Sequence, residues 1–64
     1  SQIDYDDAKD EIAAEFIFLY PPGIPLVVPG EVIDKYVIDK IRQYEQYNMK
    51  VIGLDDHKIY IINR

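Results

Sequence analysis

"EFIFLYPPGIPLVVPGE", residues Glu15–Glu31, holds all four prolines and two of the three glycines of a 64-residue chain, and apolar residues flank it on both sides. Pro21 and Pro22 fix φ and bias Tyr20 and Pro21 toward extended backbone. Gly23 suits the third position of a type II turn, which needs positive φ. Ile24 and Val28 each precede a proline and are biased extended as well. Pro29-Gly30 predicts a second corner that opens a helix, with Glu31 in its first turn complementing the helix dipole. The stretch therefore reads as strand, rigid connection and helix start.

Upstream, Ile12–Tyr20 reads as one strand, rich in β-branched and aromatic residues and halted by the prolines. Ile12, Ala14, Phe16, Phe18 and Tyr20 fall on one face, and Ala13, Glu15, Ile17 and Leu19 on the other. Both faces are mostly apolar, which predicts a strand covered on two sides, with the cover for Ile17 and Leu19 coming from outside this chain. Before it, "SQIDYDDAKDE" predicts a short helix capped by Asp4, Asp6 or Asp7 and running to about Asp10. A calcium reading of these aspartates lacks the central Gly and closing Glu of the loop pattern, so a solvated capping run is preferred.

Downstream, residues from about Glu31 to Tyr47 show helical periodicity. Ile33, Val37, Ile41 and Tyr44 line one side, with Tyr36 and Tyr47 flanking, and Lys35, Asp39, Arg42, Gln43 and Gln46 lie opposite. Lys40 interrupts the stripe, either as a snorkelling stem or with a partner outside the chain. Asn48 suits a helix stop. Val51–Leu54 and Lys58–Ile62 read as a hairpin around Asp55-Asp56-His57, with His57 a solvated tip residue. The predicted class is α+β: a small single domain, residues 1–64, with a short antiparallel or mixed sheet packed on one main helix (about 31–47) and a short N-terminal helix.

The totals limit the chemistry. The net charge is −5, from 12 acidic and 7 basic residues, which argues against a nucleic-acid partner. No stretch nears the roughly 18 apolar residues of a membrane helix, and none at the start resembles a signal peptide. With no cysteine and a single histidine, a thiolate or zinc site is not expected, and the composition fits a reducing cytoplasm. Ser1, rather than Met, in first place predicts a processed product or a piece of something longer. His57 and Ser1, the one serine, make no credible nucleophile–base pair. Glu15 and Glu31 as paired carboxylates are outweighed by a satisfied strand residue and a helix-start charge. The PPG and PG corners lack the run of free amides that a phosphate loop needs.

"EIAAEFIFLYPPGIPLVVPGEVI" (11–33) closely resembles the segment opening the C-terminal domain of the Orn/Lys/Arg decarboxylases. Ile12-Ala13-Ala14-Glu15, Tyr20-Pro21-Pro22-Gly23-Ile24-Pro25 and Pro29-Gly30-Glu31 match the family pattern. Asp10 and Glu11 stand where the family tends to have Gly and Arg, and Asp can adopt the backbone of a tight helix end. The resemblance implies a parent decarboxylase on the aspartate aminotransferase fold. Its pyridoxal phosphate would serve as electron sink when carbon dioxide leaves a basic amino acid, the product being an amine of polyamine metabolism. The cofactor lysine, in a Ser-x-His-Lys setting, lies far upstream in that family. No catalytic, cofactor-binding or metal-binding residue is therefore assigned here, and Lys9, Lys35, Lys40, Lys50 and Lys58 lack the matching context. Glu15, Tyr20, Pro21, Pro22, Gly23, Pro25, Pro29, Gly30 and Glu31 are assigned a structural and docking role. The implied partners are the catalytic domain of the same polypeptide and, in the parent, further copies in a homo-oligomer, in the cytoplasm. A free-standing acidic interaction module of the same fold is the rival, and a small independent enzyme has no constellation behind it.

Overall fold

Gly53 decides how the short strands are shared between two sheets. A computed structural model describes residues 1–20, 23 and 25–63. In it β1 (Gln2–Asp4), β2 (Phe18–Leu19), β3 (Val51–Ile52), β4 (Leu54–Asp55) and β5 (Lys58–Tyr60) accompany one helix, α1 (Lys35–Gln46). One sheet has the order β1-β5-β4 and the other pairs β2 with β3, all antiparallel. The predicted α+β class holds, and the sheets are antiparallel rather than mixed.

The predicted hairpin strand Val51–Leu54 is divided at Gly53, which takes φ +98 and sits against the Phe16 carbonyl. Val51 and Ile52 turn away to pair with Leu19 and Phe18. Leu54 and Asp55 stay with Ile59 and Lys58. The connection between β4 and β5 puts Asp56 and His57 both at positive φ, 51° and 67°. Two such residues between paired strands make a type I′ turn, whose twist matches the hairpin.

The predicted continuous strand from Ile12 to Tyr20 is not observed. Ile12 bridges Val32, Ala13 bridges Ile61, the chain bends at Ala14-Glu15, and Ile17 bridges Val27 before β2 begins. Each partner change rotates the segment, so no single pair of faces runs its whole length. This overturns the expectation of outside cover for Ile17 and Leu19. Ile17 is fully buried in the chain's own core and Leu19 packs on its edge, while Phe16 and Tyr20 are the exposed ones.

The N-terminal helix is shorter than expected. It is one 3₁₀ turn, Tyr5–Asp7, capped by the Asp4 carboxylate accepting from the Asp6 amide. The residues just before it form β1, which sequence patterning did not show. Asp10, standing at the family's glycine position, has φ +70, so that position does require left-handed backbone.

The main helix also starts later than predicted, at Lys35 rather than Glu31. Asp34 is the N-cap, its carboxylate accepting from the Val37 amide at 3.0 Å. A capping carboxylate satisfies a free helix-end donor, which Glu31 cannot do from inside the preceding turn. Asn48 ends the helix as predicted, at φ +57. The Met49 amide bonds back to the Tyr44 carbonyl and the Asn48 amide to Glu45, the pairing of a Schellman cap.

Ile33, Val37 and Ile41 of the predicted stripe are buried, joined by Ile38, and Tyr44 packs at the edge. With Ile17, Val27 and Ile59 they form the centre of the core. Each such side chain contributes about 1.5–3 kcal/mol by leaving water. Lys40 is half-buried with its ammonium 5.6 Å from the Tyr36 ring centre, so its partner lies within the chain.

Candidate functional site

The two outer blocks of the signature stretch meet in space. Val28–Glu31 is a type II turn: the Glu31 amide donates to the Val28 carbonyl at 3.1 Å, with Pro29 preceding Gly30 at φ +91. The Glu31 carboxylate folds back to accept from the Val28 amide at 2.8 Å. Ala13 then clasps this turn from both sides of its peptide. Its carbonyl accepts from the Gly30 amide at 2.8 Å, and its amide donates to the Glu31 carbonyl at 2.9 Å. Pro29, Gly30 and Glu31 thus close a turn and bind it to the Ile12–Glu15 segment. Glu15 itself is exposed.

The middle block lies in the chain between Ile17 and Val27, which bridge each other and exchange hydrogen bonds at 3.0 and 3.2 Å. Tyr20 leaves β2 with its amide on the Lys50 carbonyl, and the Lys50 ammonium lies 5.8 Å from its ring centre. Gly23 is exposed with open space around it, and Pro25 is half-buried. The type II turn expected through Pro21, Pro22 and Ile24 lies outside the described residues.

A second cluster, missed by sequence reading, ties the hairpin tip to α1. His57 is not simply solvated: its Nδ1 lies 2.9 Å from the half-buried Glu45 carboxylate. Burial, together with the hydrogen bond and charge of Glu45, pushes the Tyr5 phenol up to about 12. On the adjacent turn Arg42 pairs with Asp6 and Asp39, and Lys35 reaches Asp39 at 2.7 Å. The hydrogen bond from Lys35 holds the Asp39 carboxyl below its ordinary range, and that to Asp6 raises Arg42. Arg42–Asp6 and His57–Glu45 bind separate elements to one another, while the pairs on Asp39 stay within α1. The spacing Lys35-Asp39-Arg42 on a helix could have shown the local part. Nothing in the sequence marks the long-range partners.

A third feature is a strip of uncovered apolar side chains. Ile12 pairs with Val32 on one side, and its carbonyl accepts from the Ile62 amide on the other. Paired residues share a sheet face, so Val32, Ile12 and Ile62 lie in a row, with Ala14 and Tyr60 one pair along. Their neighbours Ala13, Ile61 and Ile59 face the core. The outward row is exposed at Val32 (58%), Ile62 (42%) and Tyr60 (40%).

Among the described residues no three His, Asp or Glu side chains converge as a metal site. The lysines do not fit a pyridoxal-phosphate site. A lysine that bonds such a cofactor needs a depressed pKa from desolvation. Lys9, Lys35, Lys50 and Lys58 are exposed, and Lys40 is half-buried with its ammonium over the Tyr36 ring. No helix of the described residues is long and apolar enough to cross a membrane.

The family model for the Orn/Lys/Arg decarboxylase C-terminal domain matches residues 1–58. The chain belongs to this family. An arginine decarboxylase of Halalkalibacterium halodurans is 37% identical over 54 residues, covering 84% of this chain and 11% of the relative. One of Bacillus subtilis is 38% identical over 56 residues, covering 88% and 11%. A lysine decarboxylase of Hafnia alvei is 47% identical over 30 residues, covering 47% and 4%. The chain thus spans about a tenth of the length of these arginine decarboxylases. The matched region extends well beyond the signature stretch that carried the resemblance. It takes in β1, α1 and the β4–β5 turn.

Proposed function

We propose that this chain is the C-terminal docking domain of a cytoplasmic, pyridoxal-phosphate-dependent decarboxylase that acts on a basic amino acid. The observation that carries this reading is the match of nearly the whole chain to a family defined as the C-terminal domain of such enzymes, together with its 11% share of the arginine decarboxylases. The domain's own work is structural. Glu31, Gly30 and Pro29 hold the signature turn, and the Tyr20–Pro25 block shares the docking role. The cofactor and the groups that move protons belong to the body of the enzyme, which also assembles as an oligomer. When bound there, pyridoxal phosphate supplies the electron sink for loss of carbon dioxide.

The test uses the full reading frame that contains this chain. The longer polypeptide, loaded with pyridoxal phosphate, is expected to release carbon dioxide from arginine, lysine or ornithine. Deleting residues 1–64 should lower that activity while the remaining body keeps its cofactor absorbance. A frame with no pyridoxal-phosphate lysine motif upstream would refute the reading and favour a free-standing acidic module.

A further inference from the structure

We propose that the apolar row Ile12, Val32, Tyr60 and Ile62, rather than the Tyr20–Pro25 block, is the face by which this domain seats on the body of its own polypeptide. The inference rests on the docking reading above and names its surface.

The sheet's outer face is divided in two. Toward the β4–β5 turn it is polar: Lys58 stands between Asp4 and Asp55, and Gln2, the β1 residue opposite Tyr60, donates from Nε2 to Asp55 Oδ2 at 3.2 Å across β5. That half needs only water. At the other end the same face carries isoleucine, valine, alanine and tyrosine, held side by side by the Ile12–Val32 and Ala13–Ile61 bridges. An antiparallel sheet with one solvated face should alternate apolar with polar there, and this half does not. Two other exposed aromatic residues differ in kind. Tyr36 has Lys40 over its ring and Tyr20 has Lys50, contacts that suit a wet surface.

The occupant follows from size and charge. Four partly exposed side chains present on the order of a few hundred Å², a patch of the functional kind. Free association needs about 800 Å² from each partner. A second copy would also bring another −5 of charge against this one, which self-repulsion opposes. A tethered partner escapes both limits, because a short linker supplies an effective concentration of about a millimolar. About nine-tenths of the arginine decarboxylases' length lies outside the match, so such a partner is at hand in the proposed parent.

Hydroxyl-radical footprinting of the full-length polypeptide tests this without altering any residue. Val32, Tyr60 and Ile62 should be modified at least about fivefold more slowly than their exposure in this structure requires, because an interface core excludes water. Tyr36 and Tyr47 should react at the rate their exposure sets. Protection of Tyr20 and Pro25 with the row left reactive would overturn the assigned face but keep the docking reading. Full reactivity of both would overturn face and docking together. Protection that appears only as protein concentration rises would assign the row to a second copy and overturn the inference.

Discussion

Alanine at Gly53 and at Gly30 would separate two costs that usually come mixed. Both glycines hold similar backbone, φ +98 and φ +91. A Cβ at Gly30 would meet nothing within 4 Å, so its substitution carries only the left-handed backbone cost, about 1–2 kcal/mol. At Gly53 the same Cβ would lie 2.2 Å from the Phe16 carbonyl oxygen and 3.2 Å from the Ile17 Cα. Those are backbone atoms, fixed by the Ile17–Val27 bridge on one side and by β2–β3 pairing on the other. They can yield only by displacing a strand crossing, a cost of about 1–3 kcal/mol beyond the φ term. Gly53→Ala should therefore lose about 2–5 kcal/mol in all. At about 0.05–0.15 kcal/mol per residue, the whole chain has only about 3–10 kcal/mol. Urea unfolding followed by far-UV circular dichroism and tyrosine fluorescence measures both variants. The expected outcome is Gly30→Ala folded with a lowered midpoint, and Gly53→Ala at least about 1 kcal/mol worse or unfolded in buffer. Equal losses, within about 0.5 kcal/mol, would show that the two sheets do not cross at Gly53 as described.

Two further outcomes are expected. Asn48→Ala should cost about 1 kcal/mol and Asn48→Gly should cost nothing or stabilise, because the Schellman cap needs φ +57; thermal melts give the ranking. Tyr5 should titrate near 12 in the folded chain against an ordinary 10.0, so its folded pKa is raised: its contribution is complete below pH 10 and is lost as pH rises to about 12. Ultraviolet difference spectra of tyrosinate follow it, and Glu45→Gln should move this titration downward, since the Glu45 carboxylate contributes to the rise.

What could be read from the sequence was what short-range chemistry decides. Pro29-Gly30 as a corner, Asn48 as a helix stop and the Ile33-Val37-Ile41 stripe each depend on φ preference or a 3.6-residue period. All three stand. The helix start was misplaced because Glu31 and Asp34 are both acids near one helix end. Only the turn closed by Glu31 on Val28 shows that Asp34 does the capping. The strand from Ile12 to Tyr20 was drawn too long because alternation describes one partner, and this segment changes partner three times. Nothing in the sequence marks Gly53 as the break in Val51–Leu54, because its neighbour Phe16 is distant in sequence. The apolar row is hidden in the sequence for the same reason. Ile12, Val32 and Ile62 come from separate segments, and only pairing puts them together.

That pairing gives the signature a role different from contact. Ala13 carries hydrogen bonds to Gly30 and Glu31 on one edge and bridges Ile61 on the other. Its own side chain is fully buried, and a larger residue there would overpack the core. The Ala13 clasp brings Ile12 level with Val32, and the turn closed by Glu31 fixes where Val32 lies. Under the docking reading, Ile12-Ala13-Ala14 and Pro29-Gly30-Glu31 therefore build the apolar row from behind. Breaking the turn should loosen the row even though Glu31 touches none of the partner. Glu31→Ala removes the acceptor of the Val28 amide, a net loss of about 1.5–3 kcal/mol for a bond to a charged group. In the full-length polypeptide it should raise footprinting at Val32 before it alters Tyr20. The reverse order would mean that the turn supports the Tyr20–Pro25 block instead.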